Sequence, residues 1–159
     1  LLKVALIEKD GKYVINKKWV GRDAKKFLKE IGIDADPRLI ICETEEMHPF
    51  VQVEMMMPIL PIVRVKNITE AITMAVAAEH GNRHSAHIHS KNVDRLTAFA
   101  RAVETTIFVK NAPSYAGIGA GGEGHTTFTI AGPTGEGLTS ARSFTRQRRC
   151  VMSDALHIV

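Results

Sequence analysis

The stretch that decides the fold is HSAHIHSKNVDRLTAFARAVETTIFV, residues 84–109. Residues 84–89 and 106–109 are short runs typical of β-strands, the second being β-branched and aromatic. Between them, Asn92 can open a helix, because four apolar residues after it fall on one helical face. These residues are Val93, Leu96, Ala100 and Val103. A strand, a helix and a second strand in this order predict a parallel strand pair joined by a crossover helix.

The same alternation continues upstream of this stretch. Asp23 can cap a helix that runs through Ile31. The continuous apolar run 39–42 predicts a strand covered on both faces, and 58–65 predicts another strand with its prolines at the entry end. Asn67 with a glutamate three residues later predicts the start of a helix that ends near residue 81. The chain is therefore expected to have an α/β fold, a mostly parallel sheet with flanking helices.

Size and charge indicate an ordinary globular domain. The 159 residues are 45% apolar and 24% charged, with a net charge of +4. Basic residues are spread along the chain except for Arg146, Arg148 and Arg149, so we expect no nucleic-acid partner. No apolar run reaches the roughly 18 residues of a membrane-spanning helix, so we expect no membrane partner and an intracellular location. Because the chain opens on the apolar run 1–6 without methionine, we expect it to be part of a longer protein.

The cysteines and glycines offer weak functional signals. Cys42 and Cys150 each lie in apolar, strand-like runs, which predicts buried structural thiols and a reducing compartment. Gly117, Gly119 and Gly122 match the G-x-G-x-x-G spacing of dinucleotide-binding turns. The residues after them are β-prone instead of opening a helix, so a tight or substrate-facing loop is the better interpretation.

The histidines and methionines also have ordinary interpretations. His87 and His89 would project from one strand face, but no third ligand at suitable spacing completes a metal site, so we expect no metal. The run Met55–Met57 could line a pocket, although such residues usually fill gaps in a core. The arginines near the end could meet phosphate, or could protect a solvated strand edge.

Four stretches taken together are more specific. They are EMMMPILP at 54–61, HIHSKN at 87–92, IFVKNAPSYAG at 107–117, and a glycine-rich stretch with GGEG at 121–124 that continues through PTGEG at 133–137 to TSAR at 139–142. In order and spacing, this set resembles the CoA-acylating aldehyde dehydrogenases of ethanolamine and propanediol breakdown, which belong to the aldehyde dehydrogenase superfamily.

The resemblance implies a particular place in a larger subunit. Residues 1–145 would be part of an aldehyde-dehydrogenase-like catalytic domain, and 146–159 would carry the C-terminal strand, at 149–152, of an oligomerisation segment. A homo-oligomer is expected, and the isolated piece should self-associate through its exposed apolar surface. The family's nucleophilic cysteine would lie upstream, so no catalytic residue is assigned here and the chain alone is expected to be inactive.

The resemblance also implies a reaction and binding residues. A short-chain aldehyde, NAD and CoA would give acyl-CoA and NADH. Glu54 aligns with a glutamate that hydrogen-bonds the nicotinamide ribose, and Met56 stands where the superfamily usually has a phenylalanine against the cofactor. Asn111, Ser114 and Tyr115 match a loop at the aldehyde tunnel. The plain alternative for Glu54 is a solvated acid before a strand.

Several choices stay open at this point. The pattern does not separate acetaldehyde from propanal, or NAD from NADP, and the location could be the cytoplasm or a bacterial microcompartment. A rival hypothesis from another class is a non-catalytic binding or assembly module that uses the glycine-rich loop and the basic tail to meet an acidic or phosphorylated partner.

Overall fold

The computed structural model describes residues 1–121, 126–127, 130–131, 137–151 and 153. The chain divides into two compact units, Leu1–Ala78 and Glu79–Val159, which we describe separately. The predicted domain boundary at residue 145 stays a prediction. Among the described residues, no helix combines the length and the apolarity needed to cross a membrane.

The first unit begins with a hairpin that the sequence interpretation did not anticipate. Helix α1 (Leu2–Ala5) leads into strand β1 (Leu6–Lys9), which pairs antiparallel with β2 (Lys12–Ile15). The two residues between the strands, Asp10 and Gly11, both have positive φ, at 51° and 72°. Two consecutive positive φ values are the requirement of the tightest hairpin turn, and Asp-Gly is a favoured sequence for it.

The parallel pair of the first unit lies where the sequence predicts strands. Strand β3 (Ile40–Glu43) pairs in parallel with β4 (Ile59–Ile62), with Ile40 opposite Ile59. Helix α2 (Ala24–Glu30) precedes the pair, and α4 (Ile68–Ala78) follows it. The predicted helix start at Asn67 is confirmed, because the Asn67 side chain accepts a hydrogen bond from the Glu70 amide at 3.0 Å. A short helix between the strands, α3 (Pro49–Gln52), was not predicted.

The core of the first unit joins the hairpin, α2 and the strand pair. Trp19 lies in a 3₁₀ turn (Lys17–Trp19) and packs on the fully buried Phe27 of α2, with ring centroids 4.8 Å apart. The other buried members of this core are Ala5, Leu6, Phe50, Met55 and Ile59.

One expectation for this unit is wrong. Strand β3 was predicted to be covered on both faces, but its burial alternates and the Ile41 side chain is 61% exposed. The reason is that β3 and β4 form a two-stranded sheet, and α4, which could have covered one face, has no buried residue. Ile41, Leu60 and Ile62 therefore remain exposed to solvent, whereas Ile59 packs in the core.

The second unit contains the strand–helix–strand stretch from which the fold was predicted. Strand β5 (Ser85–Ile88) pairs in parallel with β6 (Ile107–Lys110), and α5 (Val93–Val103) connects them. Asn92 caps α5 as predicted, since its side-chain oxygen accepts a hydrogen bond from the Arg95 amide at 3.0 Å. The α/β prediction is thus confirmed. The parallel strands form two separate pairs instead of one sheet.

The remaining elements of the second unit are short. A 3₁₀ turn (Ser114–Ile118) follows β6, the two-residue strands β7 (Ile130–Ala131) and β8 (Gly137–Leu138) pair antiparallel, and a 3₁₀ turn covers Ala141–Phe144. The strand predicted at 149–152 is absent over 149–151, where the exposed backbone has no neighbouring strand to pair with in the described part of the chain, and residue 152 lies outside that part.

Candidate functional site

Glu54 and Met56 flank a buried residue in the segment that leads into β4. Met55 is 6% exposed and belongs to the core of the first unit, whereas Glu54 is exposed and Met56 is 70% exposed. The core therefore fixes the backbone between two outward-facing side chains. Glu54 forms no hydrogen bond or ion pair with the described residues, so both carboxylate oxygens are free to accept hydrogen bonds from a ligand.

Met56 has an unusual backbone conformation. Its φ is +53°, in the left-handed region that non-glycine residues rarely adopt. Its carbonyl accepts a hydrogen bond from the Gly21 amide at 3.4 Å, and the next carbonyl, that of Met57, accepts one from the Ile59 amide at 2.8 Å. These contacts, with the burial of Met55, hold the bend in place. Backbone strain of this kind clusters at functional sites.

Asn111 joins the ends of β5 and β6. Its side-chain oxygen accepts a hydrogen bond from the Ser90 amide at 2.8 Å, and its side-chain nitrogen donates one to the Ser90 carbonyl at 2.9 Å. Its own amide donates to the Ile88 carbonyl at 2.9 Å. We call this pair of side-chain bonds the Asn111–Ser90 clamp. Because the clamp uses both polar atoms of the amide, it gives Asn111 a role in positioning the loop, while direct contact with a substrate stays a prediction.

Ser114 and Tyr115 lie in the 3₁₀ turn after β6, and both are exposed, Tyr115 by 58%. The turn packs on β6 because Gly117 has no side chain. A Cβ added at Gly117 would lie 2.3 Å from Ile107 Cγ2 and 2.9 Å from Val109 Cγ2. The sequence therefore places two hydroxyl groups on a turn whose position is fixed from below by β6.

The structure also places the glycines of the G-x-G-x-x-G spacing. Gly117 is inside the 3₁₀ turn and Gly119 ends it, while Gly122 lies outside the described residues. The described residues 126–127 are not helical. A phosphate-binding turn of this type would open a helix, and because most of the stretch after Gly121 lies outside the described residues, its interpretation as a loop stays a prediction.

The surroundings of His87 alter its acid–base behaviour. Partial burial lowers the pKa of His87 below its usual 6.5, and the charge of His89 lowers it further. At neutral pH the imidazole is therefore uncharged and able to accept a proton. The sequence pattern favours an ordinary, partly buried histidine at this position over a metal ligand, and gives no sign of the lowered pKa. Among the described residues, no three His, Cys, Asp or Glu side chains are grouped closely enough to hold a metal ion.

The two cysteines differ in environment. The Cys42 side chain packs against the core of the first unit, and burial raises the pKa of its thiol. Its Sγ lies 3.9 Å from the Leu60 carbonyl oxygen, so the thiol has a weak acceptor and no base beside it. Cys150 is exposed in an irregular segment. The prediction that Cys42 is a structural thiol fits its position, whereas the predicted burial of Cys150 is wrong because no strand forms there.

Comparison with known proteins adds to this geometry. The aldehyde dehydrogenase family model matches residues 19–145. The acetylating acetaldehyde dehydrogenase EutE of Salmonella typhimurium is 53% identical over 155 residues, which are 96% of this chain and 33% of that protein.

Solved structures agree with this match. Rhodopseudomonas palustris propionaldehyde dehydrogenase, solved with bound CoA and an acylated cysteine, has a TM-score of 0.87 at 54% identity, covering 95% of this chain and 34% of that one. A propionaldehyde dehydrogenase from a Clostridium phytofermentans fucose utilisation microcompartment has a TM-score of 0.81 at 62% identity, covering 89% of this chain and 33% of that one. The chain thus spans about a third of the length of these relatives. Because the family model covers most of its residues, the chain belongs to the aldehyde dehydrogenase family.

Proposed function

We propose that this chain forms part of the catalytic domain of a CoA-acylating aldehyde dehydrogenase, which converts a short-chain aldehyde, CoA and NAD to acyl-CoA and NADH. The observation that carries the proposal is the 53% identity to an acetylating acetaldehyde dehydrogenase across 96% of the chain. In this proposal, residues 1–145 belong to the catalytic domain and 146–159 to an oligomerisation segment of a homo-oligomer.

The chemistry requires a nucleophilic thiolate, a hydride acceptor and CoA as co-substrate. The thiolate adds to the aldehyde carbon, and the resulting thiohemiacetal loses a hydride and its hydroxyl proton to become a thioester. The CoA thiol then attacks the thioester carbonyl and takes the acyl group, which releases the enzyme thiolate. NAD, when bound, supplies the hydride acceptor. The resemblance to the family implies that the nucleophilic cysteine lies upstream of the matched segment, so we assign this role to neither Cys42 nor Cys150. Burial raises the pKa of the Cys42 thiol, which does not favour a thiolate there.

The residues of this chain would bind and orient the cofactor and the aldehyde. Glu54 fits the ribose of NAD because its exposed carboxylate has no partner among the described residues and can accept from two hydroxyl groups. Met56 would supply an apolar contact beside it. Ser114 and Tyr115 would line the aldehyde path from a turn that Gly117 holds against β6 and that the Asn111–Ser90 clamp precedes.

The location of the enzyme follows from the same proposal. One similar propionaldehyde dehydrogenase comes from a bacterial microcompartment, so we propose the cytoplasm or the interior of such a compartment. The rival module that would bind through the glycine-rich loop and basic tail gains no support from the described residues. Arg146, Arg148 and Arg149 are exposed, but most of the glycine-rich loop lies outside the described residues, so this rival module stays a prediction.

A chimera tests the proposed function. The matched third of Salmonella EutE is replaced by this chain, and NADH formation is followed with acetaldehyde or propanal, CoA and NAD. We expect CoA-dependent turnover by the chimera and none by the isolated chain. A correctly assembled chimera that does not turn over either aldehyde would contradict the proposal, as would activity of the isolated chain that disappears in Cys42→Ala.

Glu54 is tested in the same chimera. Glu54→Gln keeps the shape of the side chain but removes the charge, so we expect kcat/KM for NAD to fall about tenfold, the loss typical of a hydrogen bond to a charged group. Glu45→Gln is the matched control, because Glu45 is also an exposed glutamate of the first unit. Equal effects of the two substitutions would remove Glu54 from the cofactor site and leave it a solvated acid.

A further inference from the structure

A second surface feature of the first unit is not explained by the proposed function. A groove of about 560 Å³ is lined by the side chains of Lys18, Trp19, Arg22, Lys26, Lys29 and Glu30. We call it the basic groove. The volume falls within the range of small-ligand pockets, about 300–1,000 Å³.

The floor of the basic groove is rigid. Trp19 is 8% exposed, and its ring packs on Phe27, whose side chain is fully buried in the core. The Asn16 side chain accepts a hydrogen bond from the Lys18 amide at 3.3 Å, which fixes the start of the 3₁₀ turn. Arg22 Nε then donates to the Lys18 carbonyl at 3.3 Å. This bond orients the guanidinium and leaves its two terminal nitrogens free to donate elsewhere.

One wall of the groove is the outer face of α2. The inner face of this helix carries the buried residues Ala24, Phe27 and Leu28. Lys26 and Lys29 are exposed and three residues apart, so they are neighbours on the surface of the helix. Like charges at this spacing repel each other, and an anion placed between them would relieve the repulsion.

The cations of the groove are not neutralised by the protein. Lys18, Arg22, Lys26 and Lys29 form no ion pair with any described residue, and Glu30 is the one carboxylate in the lining. Lys25, on the same helix but outside the lining, is instead paired with Asp36 at 3.1 Å. Lys18 Nζ lies 5.7 Å from the centroid of the Trp19 ring, so this ammonium is already held above the floor.

We propose that the basic groove binds a small anion that carries at least two phosphate groups. Four cations without an ion-pair partner exceed what one phosphate needs, and their thirteen free N–H donors, three on each lysine and four on Arg22, suit the many oxygens of a diphosphate. The source of the phosphates can be a nucleoside diphosphate or inorganic pyrophosphate, since both present the same group. The site does not depend on the proposed dehydrogenase function.

The single tryptophan of the chain makes the proposal directly testable. Trp19 lines the groove, so its fluorescence reports on an anion that moves Lys18 from the ring. Pyrophosphate and ADP are titrated into the full 159-residue chain at constant ionic strength, with sodium sulfate as the reference anion. We expect a saturable change with both phosphates and a much weaker response to sulfate. Equal titrations would mean that phosphate alone is recognised, and tighter binding of ADP would add a nucleoside contact near Trp19.

Charge variants distinguish binding in the basic groove from general electrostatic attraction of anions to the chain. Lys26→Gln with Lys29→Gln should weaken pyrophosphate binding at least about tenfold, whereas Lys25→Gln, outside the lining, should change it less than about twofold. Glu30→Gln should tighten binding several-fold by removing the one repulsive charge, an effect that a purely structural role would not produce. Circular dichroism checks that each variant is folded.

Three results would overturn the proposal. One is a fluorescence response that sulfate reproduces at the same concentration. Another is a loss of affinity in Lys25→Gln equal to the loss in Lys26→Gln or Lys29→Gln alone, each of which removes one charge; this would indicate the net charge of the chain instead of the groove. The third is binding to a single-stranded RNA oligonucleotide without binding to pyrophosphate or ADP, which would assign the surface to a polymer.

Discussion

The two parallel strand pairs have the same topology but differ in how they are covered. In the β5–β6 pair, Ala86, Ile107 and Val109 are buried, and α5 contributes the buried side chains of Phe99 and Val103. In the β3–β4 pair, Ile59 is buried but Leu60 and Ile62 are 47% and 42% exposed. The helix after that pair, α4, buries no residue.

The carboxyl ends of the two pairs differ as well. After β5 and β6, the Asn111–Ser90 clamp joins the chains through a side-chain amide and a backbone. At the ends of β3 and β4, the two chain segments are linked by an ion pair between Arg64 and Glu43 at 2.7 Å. Both side chains are more than half exposed. Exposed ion pairs contribute little to stability, because solvent and salt screen them. Parallel pairing alone therefore does not produce a covered sheet; the covering follows the burial of the neighbouring helix.

The largest expected effect tests the difference in burial between α5 and α4. Val103→Ala in α5 removes a side chain that is 5% exposed, and Val76→Ala in α4 removes the same atoms from one that is 36% exposed. We expect the free energy of unfolding to fall by about 2 kcal/mol for Val103→Ala and by about 0.5 kcal/mol or less for Val76→Ala. Urea denaturation of both variants measures this. Equal losses would mean that α4 is covered in solution.

A smaller effect tests the two end contacts. Asn111→Asp keeps the acceptor for the Ser90 amide but places an oxygen against the Ser90 carbonyl, so we expect a loss of about 1 kcal/mol. Glu43→Gln should cost less, because it removes only an exposed ion pair, and its effect should disappear in high salt. A greater cost for Glu43→Gln than for Asn111→Asp in thermal unfolding would reverse the comparison.

The smallest effect concerns pH and belongs to β5. The pKa of His87 is lowered in the folded chain, so the unfolded chain, with a pKa near 6.5, binds the proton more tightly. The stabilisation that comes from keeping His87 neutral in the folded chain is therefore complete above pH 6.5. It is lost as the pH falls through 6.5 toward the lower pKa of the folded chain. His87→Gln should flatten this part of the profile, and His89→Gln should flatten it partly, in denaturation series between about pH 8 and pH 5. Identical slopes for wild type and His87→Gln would contradict the assignment.

Much of the fold could be predicted from local patterns. The helical starts at Asn67 and Asn92 were predicted because a capping side chain acts within four residues of itself. Three of the four parallel strands, β3, β4 and β6, were predicted because each is a compact apolar or β-branched run, whereas β5 was predicted from the alternation of strands and helices. The prediction that β3 is covered on both faces was wrong, because an apolar run indicates only that a strand can be buried. Whether another element lies over it depends on residues distant in the chain.

The site was predicted in outline and not in its contacts. The exposed positions of Glu54 and Met56 follow from the burial of Met55 between them, which the three identical letters of the run do not reveal. Ser90 was not identified, although it is the partner of Asn111, because backbone atoms carry no sequence signal. The basic groove was missed for a related reason. Its cations are separated by three to four residues and come together only when the 3₁₀ turn and α2 fold around Trp19.

The contrast within the Met55–Met57 run has a chemical consequence. A mild oxidant converts exposed thioethers to sulfoxides and spares those it cannot reach. Met56, at 70% exposed, would therefore be converted well before Met55, at 6%. The sulfoxide would put a polar, chiral oxygen at the position proposed to touch the cofactor, while the hydrophobic core beneath it stayed chemically intact.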